Sequence, residues 1–320
     1  MTITEFHPLS LLSSTSAVLA AKSLKIKEKY IRVSQSASSA RQRAWRTTLP
    51  SAGFSCKKPQ PPKRSVPGQA LFLPEASDYI ASSPIETISL AKSVTDSPFV
   101  LGLQAEAKKH NLAINVGVHE PAQGGKKVKN TLLWIDAEGK IAQRYQKLHL
   151  FDVDIEGGPM LKESDSVERG NEIVPPFETA VGRVGMLICY DLRFPEPSLR
   201  LHRQHAQLLT YPSAFTVPTG RAHWSTLLRA RAIETQCYVL AAAQSGRHNE
   251  KRVSYGHSMI VGPWGDVLGE LGGVEDATMA GAVGESFGEE GERGPQVVCA
   301  EIDLGVCERI RREMPLRRRT

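Results

Sequence analysis

From residue 70 onward the chain alternates short apolar runs with stretches of helical spacing, and this alternation restricts the fold more than any other feature. Apolar runs too short for a buried helix read as central strands, and helices between them return the chain for the next strand. Residues 70–73 form such a run and stop at Pro74, residues 89–110 carry helical spacing, and 112–118 are again apolar. Residues 131–136 and 141–145, joined by a turn at 137–140, read as a hairpin. Residues 184–189 and 206–211 are buried-strand candidates on either side of a helical stretch at 196–205. A helix over 221–236 leads into a strand over 238–243. A late hairpin (256–261 with 266–268), a Gly- and Glu-rich surface loop (269–294) and a last strand (297–302) complete a layered α/β pattern. No internal repeat of 20–50 residues interrupts it.

The first 67 residues have a different texture. They hold 12 Lys and Arg against Glu5 and Glu28, a balance of +10, so with a total of +6 residues 68–320 carry −4. The basic character belongs to this head, and a nucleic-acid-binding face on the body loses its support. Twelve serines and the KKPQPPKRSVP tract make residues 1–67 a disordered or transit-like segment by composition. The domain reading is therefore a head (1–67), a catalytic-sized body (68–315) and a basic tail (316–320). Residues 9–21 resemble a short signal core, but the front carries Glu5 and no Lys or Arg, against the secretory pattern. No apolar run reaches the ~18 residues of a membrane helix. Five cysteines without a C-x-x-C pair suggest reduced thiols. The expected location is cytoplasmic, with a mitochondrial address as the alternative left open by the head.

Absences narrow the chemistry. No P-loop, H-E-x-x-H or G-x-S-x-G motif is present. His202 and His205 lack a third ligand nearby and read as a solvated helix face, so neither metal nor cofactor is expected. Three strand ends remain. VGMLICYDLRFPE delivers Cys189 to the end of an apolar run, where a rigid scaffold presents a nucleophile, although a lone cysteine is also a common small core residue. LFLPEASDYI places Glu75 just after an apolar run and Pro74, and RYQKLHLFD places Lys147 after the hairpin strand. A thiol nucleophile needs a base, and acyl chemistry needs a cation or amides for the oxyanion.

These blocks, LFLPEASDYI, RYQKLHLFDVDI and GMLICYDLRFPE, resemble in order the Glu, Lys and Cys blocks of the nitrilase superfamily, the carbon–nitrogen hydrolases. The resemblance runs from about residue 68 to 315. The stretch from LLTYPSAFTVPTGRAHW to GHSMIVGPWGDVL looks like the branch of that family called deaminated glutathione amidase. The resemblance implies a four-layer αββα sandwich and a thiol amidase. Glu75 would be the general base, Cys189 the nucleophile, and Lys147 with the Tyr190 amide the oxyanion donors. Glu163 in LKES would support the lysine, with Glu156 second in line. It further implies hydrolysis of a 2-oxoglutaramyl-type amide, deaminated glutathione to 2-oxoglutarate and Cys-Gly, through a thioester. The alternatives are an omega-amidase acting on 2-oxoglutaramate and a catalytically impaired, partner-binding member. Arg193 is a candidate for a substrate carboxylate, or else braces its own loop against Glu196. Tyr211, Ser213, Phe215 and Thr216 are candidate pocket residues, while His149 reads as loop packing. Arg229, Arg231 and Glu234 read as an ion-pair face, structural or at a dimer contact, and a homodimer is implied by the resemblance.

One departure stands at the front. The family begins with an apolar strand and a long helix, and residues 1–67 show no such pair. LKIKEKYIRVSQ is the nearest approach to a strand, so the first strand and helix are expected to be missing or replaced, leaving an exposed sheet edge.

Overall fold

In a strand successive side chains point to opposite faces, so a strand apolar at every position must be covered on both sides. Strands β2 (Gln69–Phe72), β3 (Ala113–Pro121) and β4 (Val128–Ile135) come close to this, β2 being apolar over 70–72, β4 over 132–135, and β3 buried over 113–118. In β4, Leu132 and Trp134 enter one apolar cluster while Leu133 and Ile135 enter another; in β2, Ala70 and Phe72 part from Leu71 in the same way. The first cluster lies between two sheets, and the second lies under a helix. Each Leu or Phe fully buried in these layers contributes about 1.5–3 kcal/mol of transfer free energy. The computed structural model describes residues 68–154, 160–250, 252–274 and 296–317, with the backbone of residues 30–35.

The first sheet has the order β17-β1-β2-β3-β4-β5, where β1 is Tyr30–Gln35, β5 is Ile141–Gln146 and β17 is Gln296–Glu301. A two-residue strand, β8 (Val167–Glu168), pairs with β4 off this path. The second sheet, β16-β15-β12-β11-β10-β9, is built from β9 (Phe177–Thr179), β10 (Gly182–Met186), β11 (Leu208–Thr210), β12 (Tyr238–Ala241), β15 (Met259–Val261) and β16 (Val267–Glu270). Helices α1 (Pro84–Leu90) and α2 (Pro98–His110) precede β3, and α2 covers the outer face of the first sheet with Val100, Leu103 and Ala107. Helices α3 (Pro195–Arg203) and α4 (Val217–Thr235) follow β10 and β11 in turn, and α4 packs on β12 and β15. Helix α5 (Leu304–Glu313) follows β17 and buries Cys307 and Ile310. This is the αββα sandwich.

The slot expected to be empty is filled. Strand β1 runs parallel to β2 and antiparallel to β17, with ladder partners on both sides. Its sequence alternates apolar and polar residues only over 31–34, and pairing with two neighbours satisfies its backbone without a continuous apolar run. The edge predicted at β2 is therefore covered. The rest of the head, with its expected disorder and missing helix, lies outside the described residues, as do the basic end 318–320 and most of the acidic loop.

The helical stretch at 89–110 is in fact two helices. Ser97 caps α2, its hydroxyl accepting the Val100 amide at 3.4 Å, and Pro98 opens the helix. Proline without its N–H fits a first turn and turns the preceding residue away from helical geometry. Two hairpins were not expected: β6 (Asp152–Asp154) with β7 (Met160–Lys162), and β13 (Ser245–Asn249) with β14 (Arg252–Tyr255). Among the described residues no helix is long and apolar enough to cross a membrane.

Candidate active site

Three chain segments meet where strands of the two sheets end. Glu75 leaves β2 through Pro74 and is held by its backbone. Gln244 Nε2 donates to the Glu75 carbonyl at 2.8 Å and the Ala76 carbonyl at 3.1 Å, and Gly117 donates its amide to Pro74 O at 3.1 Å. The approach is close enough that a Cβ on Gly117 would lie 2.7 Å from Glu75 Cα, so glycine is required there. Lys147 follows β5, its amide donating to Asn130 O at 3.0 Å and its carbonyl accepting from Gly170 at 2.8 Å. Cys189 lies beyond the end of β10 rather than on it. It opens a 3-10 turn (Cys189–Arg193) at φ 43° with its amide on Pro212 O at 2.9 Å. A left-handed conformation at a residue with a side chain is strained, and here it turns the thiol out of the strand direction.

These groups are buried yet mutually satisfied. Exposures are 5% for Glu75, 2% for Lys147 and 7% for Cys189. Lys147 Nζ donates to Glu75 Oε1 at 2.9 Å and to both Glu163 oxygens at 2.9 and 3.1 Å. Asn130 Nδ2 donates to Glu75 Oε1 at 2.8 Å and Glu163 Oε1 at 3.2 Å, and the Phe151 amide donates to Glu163 Oε2 at 2.7 Å. The Glu75 carboxylate acts on the Cys189 thiol as a neighbouring charge. The structure thus brings Glu163 onto Lys147 as expected, while Glu156 lies outside the described residues.

Burial works to raise the Glu75 carboxyl, but the Lys147 charge and its hydrogen bond outweigh it, and the net position is below the usual 4.5. Burial works to lower Lys147, yet Glu163 and Glu75 hold its ammonium well above the usual range. Cys189 is pushed far up, first by burial and then by the Glu75 carboxylate, with Lys147 only partly opposing. Two carboxylates against one ammonium leave net negative charge beside the sulfur, so the resting state is a thiol next to an ionised carboxylate. That pairing leaves a proton-accepting carboxylate beside the sulfur.

A cavity of about 420 Å³ opens over the three groups. Tyr190, Arg193, Phe215 and Thr216 border it, as does the His119 ring, stacked on Tyr79 and paired with Asp78 at 3.0 Å. Two expected pocket residues are elsewhere. Tyr211 and Ser213 are fully buried; the Tyr211 hydroxyl shares a hydrogen bond with Ser198 and Ser213 Oγ donates to Tyr211 O. The chain after β11 turns their side chains into the core and only then meets the cavity. Arg193 does not pair with Glu196; its Nη2 lies 3.0 Å from His223 Nδ1, and its guanidinium sits over the Tyr190 and Phe215 rings. His149 is packing, stacked on Phe194 and bound to Asp191. Arg231 bonds Glu234 and the Leu192 carbonyl within the chain, and Arg229 Nε donates to Gly265 O at 2.8 Å.

Two further buried polar residues contact these groups and are not singled out by sequence pattern. Asn130 sits in an apolar strand, and Asp191 is fully buried two residues after the cysteine. Asp191 accepts from the Tyr145 hydroxyl at 2.6 Å, the Ile188 and His149 amides at 3.0 Å, and the His149 ring at 2.8 Å. It locks the Cys189 turn to the segment that follows Lys147. The available signal was a polar residue inside an apolar block, which requires a buried partner. No cluster of metal-ligating side chains occurs among the described residues.

Comparison with known proteins agrees with this geometry. The model of the carbon-nitrogen hydrolase family matches residues 62–312. The chain is 44% identical over 252 residues to "Probable hydrolase nit2" of Schizosaccharomyces pombe, covering 78% of this chain and 85% of that protein. It is 43% identical over 250 residues to a Homo sapiens protein named deaminated glutathione amidase, covering 77% and 70%. The crystal structure of the Caenorhabditis elegans NitFhit protein superposes with a TM-score of 0.71 at 37% identity, covering 92% of this chain and 65% of that one. On these matches the chain belongs to the carbon-nitrogen hydrolase family and is a hydrolase of carbon–nitrogen bonds.

Proposed function

We propose that this hydrolase is a thiol amidase in which Glu75, Lys147 and Cys189 carry the reaction. The observation that bears most weight is the lysine-paired Glu75 carboxylate held with a buried cysteine in the lining of one cavity. Glu75 accepts the thiol proton as Cys189 Sγ bonds to the amide carbon. The developing oxyanion receives hydrogen bonds from Lys147 Nζ and the Tyr190 amide. Glu75 returns the proton to the departing amine, the C–N bond breaks and a thioester remains. Water then gives its proton to Glu75 and its hydroxide to the thioester carbon, and sulfur leaves as the thiol once more. Glu163 and Asn130 keep the lysine charged and the base in place throughout.

The substrate in this reading is deaminated glutathione, cleaved to 2-oxoglutarate and Cys-Gly. Relatives at 41–43% identity from Mus musculus and Homo sapiens carry the name deaminated glutathione amidase, and the cavity of about 420 Å³ is of the size of a small-molecule site. The impaired, binding-only alternative loses its main ground, because β1 fills the sheet position on which it depended. A homodimer remains a proposal, checked by sedimentation. The test is release of 2-oxoglutarate from deaminated glutathione and, in parallel, from 2-oxoglutaramate, with Cys189→Ala as the blank. Turnover of the tripeptide above that blank is expected. Turnover of 2-oxoglutaramate alone would make the enzyme an omega-amidase, and a folded, inactive protein would refute the amidase reading.

A further inference from the structure

Two guanidiniums border the catalytic cavity, and among the described residues neither forms an ion pair with a carboxylate. Of the cavity's acids, Glu75 and Glu163 are bound to Lys147 and Asn130, and Asp165 is the third acid of the lining. Arg193 belongs to the nucleophile turn, four residues after the sulfur, with His223 and the faces of Tyr190 and Phe215 as its neighbours. Arg252 arrives separately, on the β13–β14 hairpin. This hairpin is tied to the cavity wall by a bridge between Ser254 and Thr216, and Arg252 Nη2 approaches Ala214 O at 3.4 Å. Among the described residues, that contact leaves most of a five-donor fork to be answered. Asn249 of the same hairpin also lines the cavity, and its Nδ2 donates to Ala81 O at 3.4 Å, where the exposed residues Ser82 to Pro84 form the rim.

We propose that Arg193 and Arg252 are two anion-binding points in one cavity, selecting amides with a carboxylate on each side of the scissile bond, Arg252 taking the carboxylate of the leaving group. The acyl part is held at Cys189 through the thioester, so it stays beside the turn that carries Arg193. The amine must depart toward solvent, past the rim and the hairpin that carries Arg252. Carboxylates meet guanidinium forks in bidentate, charge-assisted pairs, which suits these two half-buried arginines. The inference rests on the amidase reading and adds the charge of the leaving group as a determinant of specificity.

The test compares wild type, Arg252→Ala and Arg252→Lys on three amides. These are deaminated glutathione, its C-terminal glycinamide analogue, whose leaving group has no carboxylate, and 2-oxoglutaramate. In wild type, kcat/KM for the parent should exceed that for the analogue about 30-fold, the size of one charge-assisted pair, mostly through KM. Arg252→Ala should bring parent and analogue within about 3-fold of each other, since only the pair is lost. Arg252→Lys should restore part of the preference. Both ligands are measured on the same variant, so a general folding defect cancels from the ratio. A preference in Arg252→Ala as large as in wild type would overturn the assignment, as would an equal loss on 2-oxoglutaramate. Wild type that hydrolyses none of the three amides would instead bring down the amidase reading, before any variant is made.

Discussion

Replacing Gly117 by Ala leaves every reacting group in the sequence and displaces one of them. The added Cβ would stand 2.7 Å from Glu75 Cα, 3.0 Å from Pro74 O and 3.2 Å from Ala76 N, all backbone atoms that cannot swing aside. Carbon atoms rest at about 3.5–4.0 Å, so the Glu75 backbone must retreat by roughly 1 Å. It is clamped by Gln244 and by the Gly117 hydrogen bonds to Pro74 and Ser77, so the strain has little local outlet. The carboxylate now lies 2.9 Å from Lys147 Nζ and 2.8 Å from Asn130 Nδ2. A retreat of about 1 Å takes those contacts past hydrogen-bonding range. Misplacement on that scale costs on the order of 100-fold in rate, and overpacking costs about 1–3 kcal/mol of stability. Gly102 in α2 is the control, because a Cβ there meets nothing within 4 Å. Gly102→Ala should stabilise by about 0.5–1 kcal/mol without loss of activity. The assay is kcat/KM for amide hydrolysis with Tm measured on the same samples. A folded Gly117→Ala enzyme within about 3-fold of wild type would refute the requirement for this placement of Glu75.

Lys147→Met should leave Glu75 and Glu163 facing each other without their shared cation. Glu75 then protonates, and kcat should fall at least about 1,000-fold for loss of both oxyanion donor and base; a variant altered only in KM would argue against this. Because the folded Glu75 pKa lies below 4.5, the base is ionised above that value and lost as pH falls through it. The acid limb of kcat/KM should therefore lie below pH 4.5, and a limb at pH 6 or higher would contradict the lysine pairing. Cys189 is pushed up by burial and Glu75, so its alkylation by iodoacetamide should show no titration step near the usual 9.0, and such a step would mean a thiolate not governed by Glu75. Asp191→Ala should destabilise by about 3–5 kcal/mol, since it orphans the Tyr145 hydroxyl, two amides and the His149 ring, and chemical denaturation reads this directly.

Sequence periodicity by itself determined the strands that feed the site, the helices between them and the strand-end placement of Glu75 and Lys147. Each of these depends on residues a few positions apart, and local alternation of apolar and polar residues encodes them directly. The order of the Glu, Lys and Cys blocks carried the resemblance for the same reason. Only the tertiary structure decided what depends on proximity across the chain. Glu75 and Lys147 are 72 residues apart in sequence, and Asn130 and Asp191 matter only because the fold carries them to the base and to the Lys147 segment. Strand β1 is legible only once β2 and β17 offer it two ladders. The Tyr211 side chain, by contrast, turns into the core beside Ser198 and not toward the cavity. The protonation states were decided there too, because burial and neighbouring charge set them, and neither exists until the chain has folded.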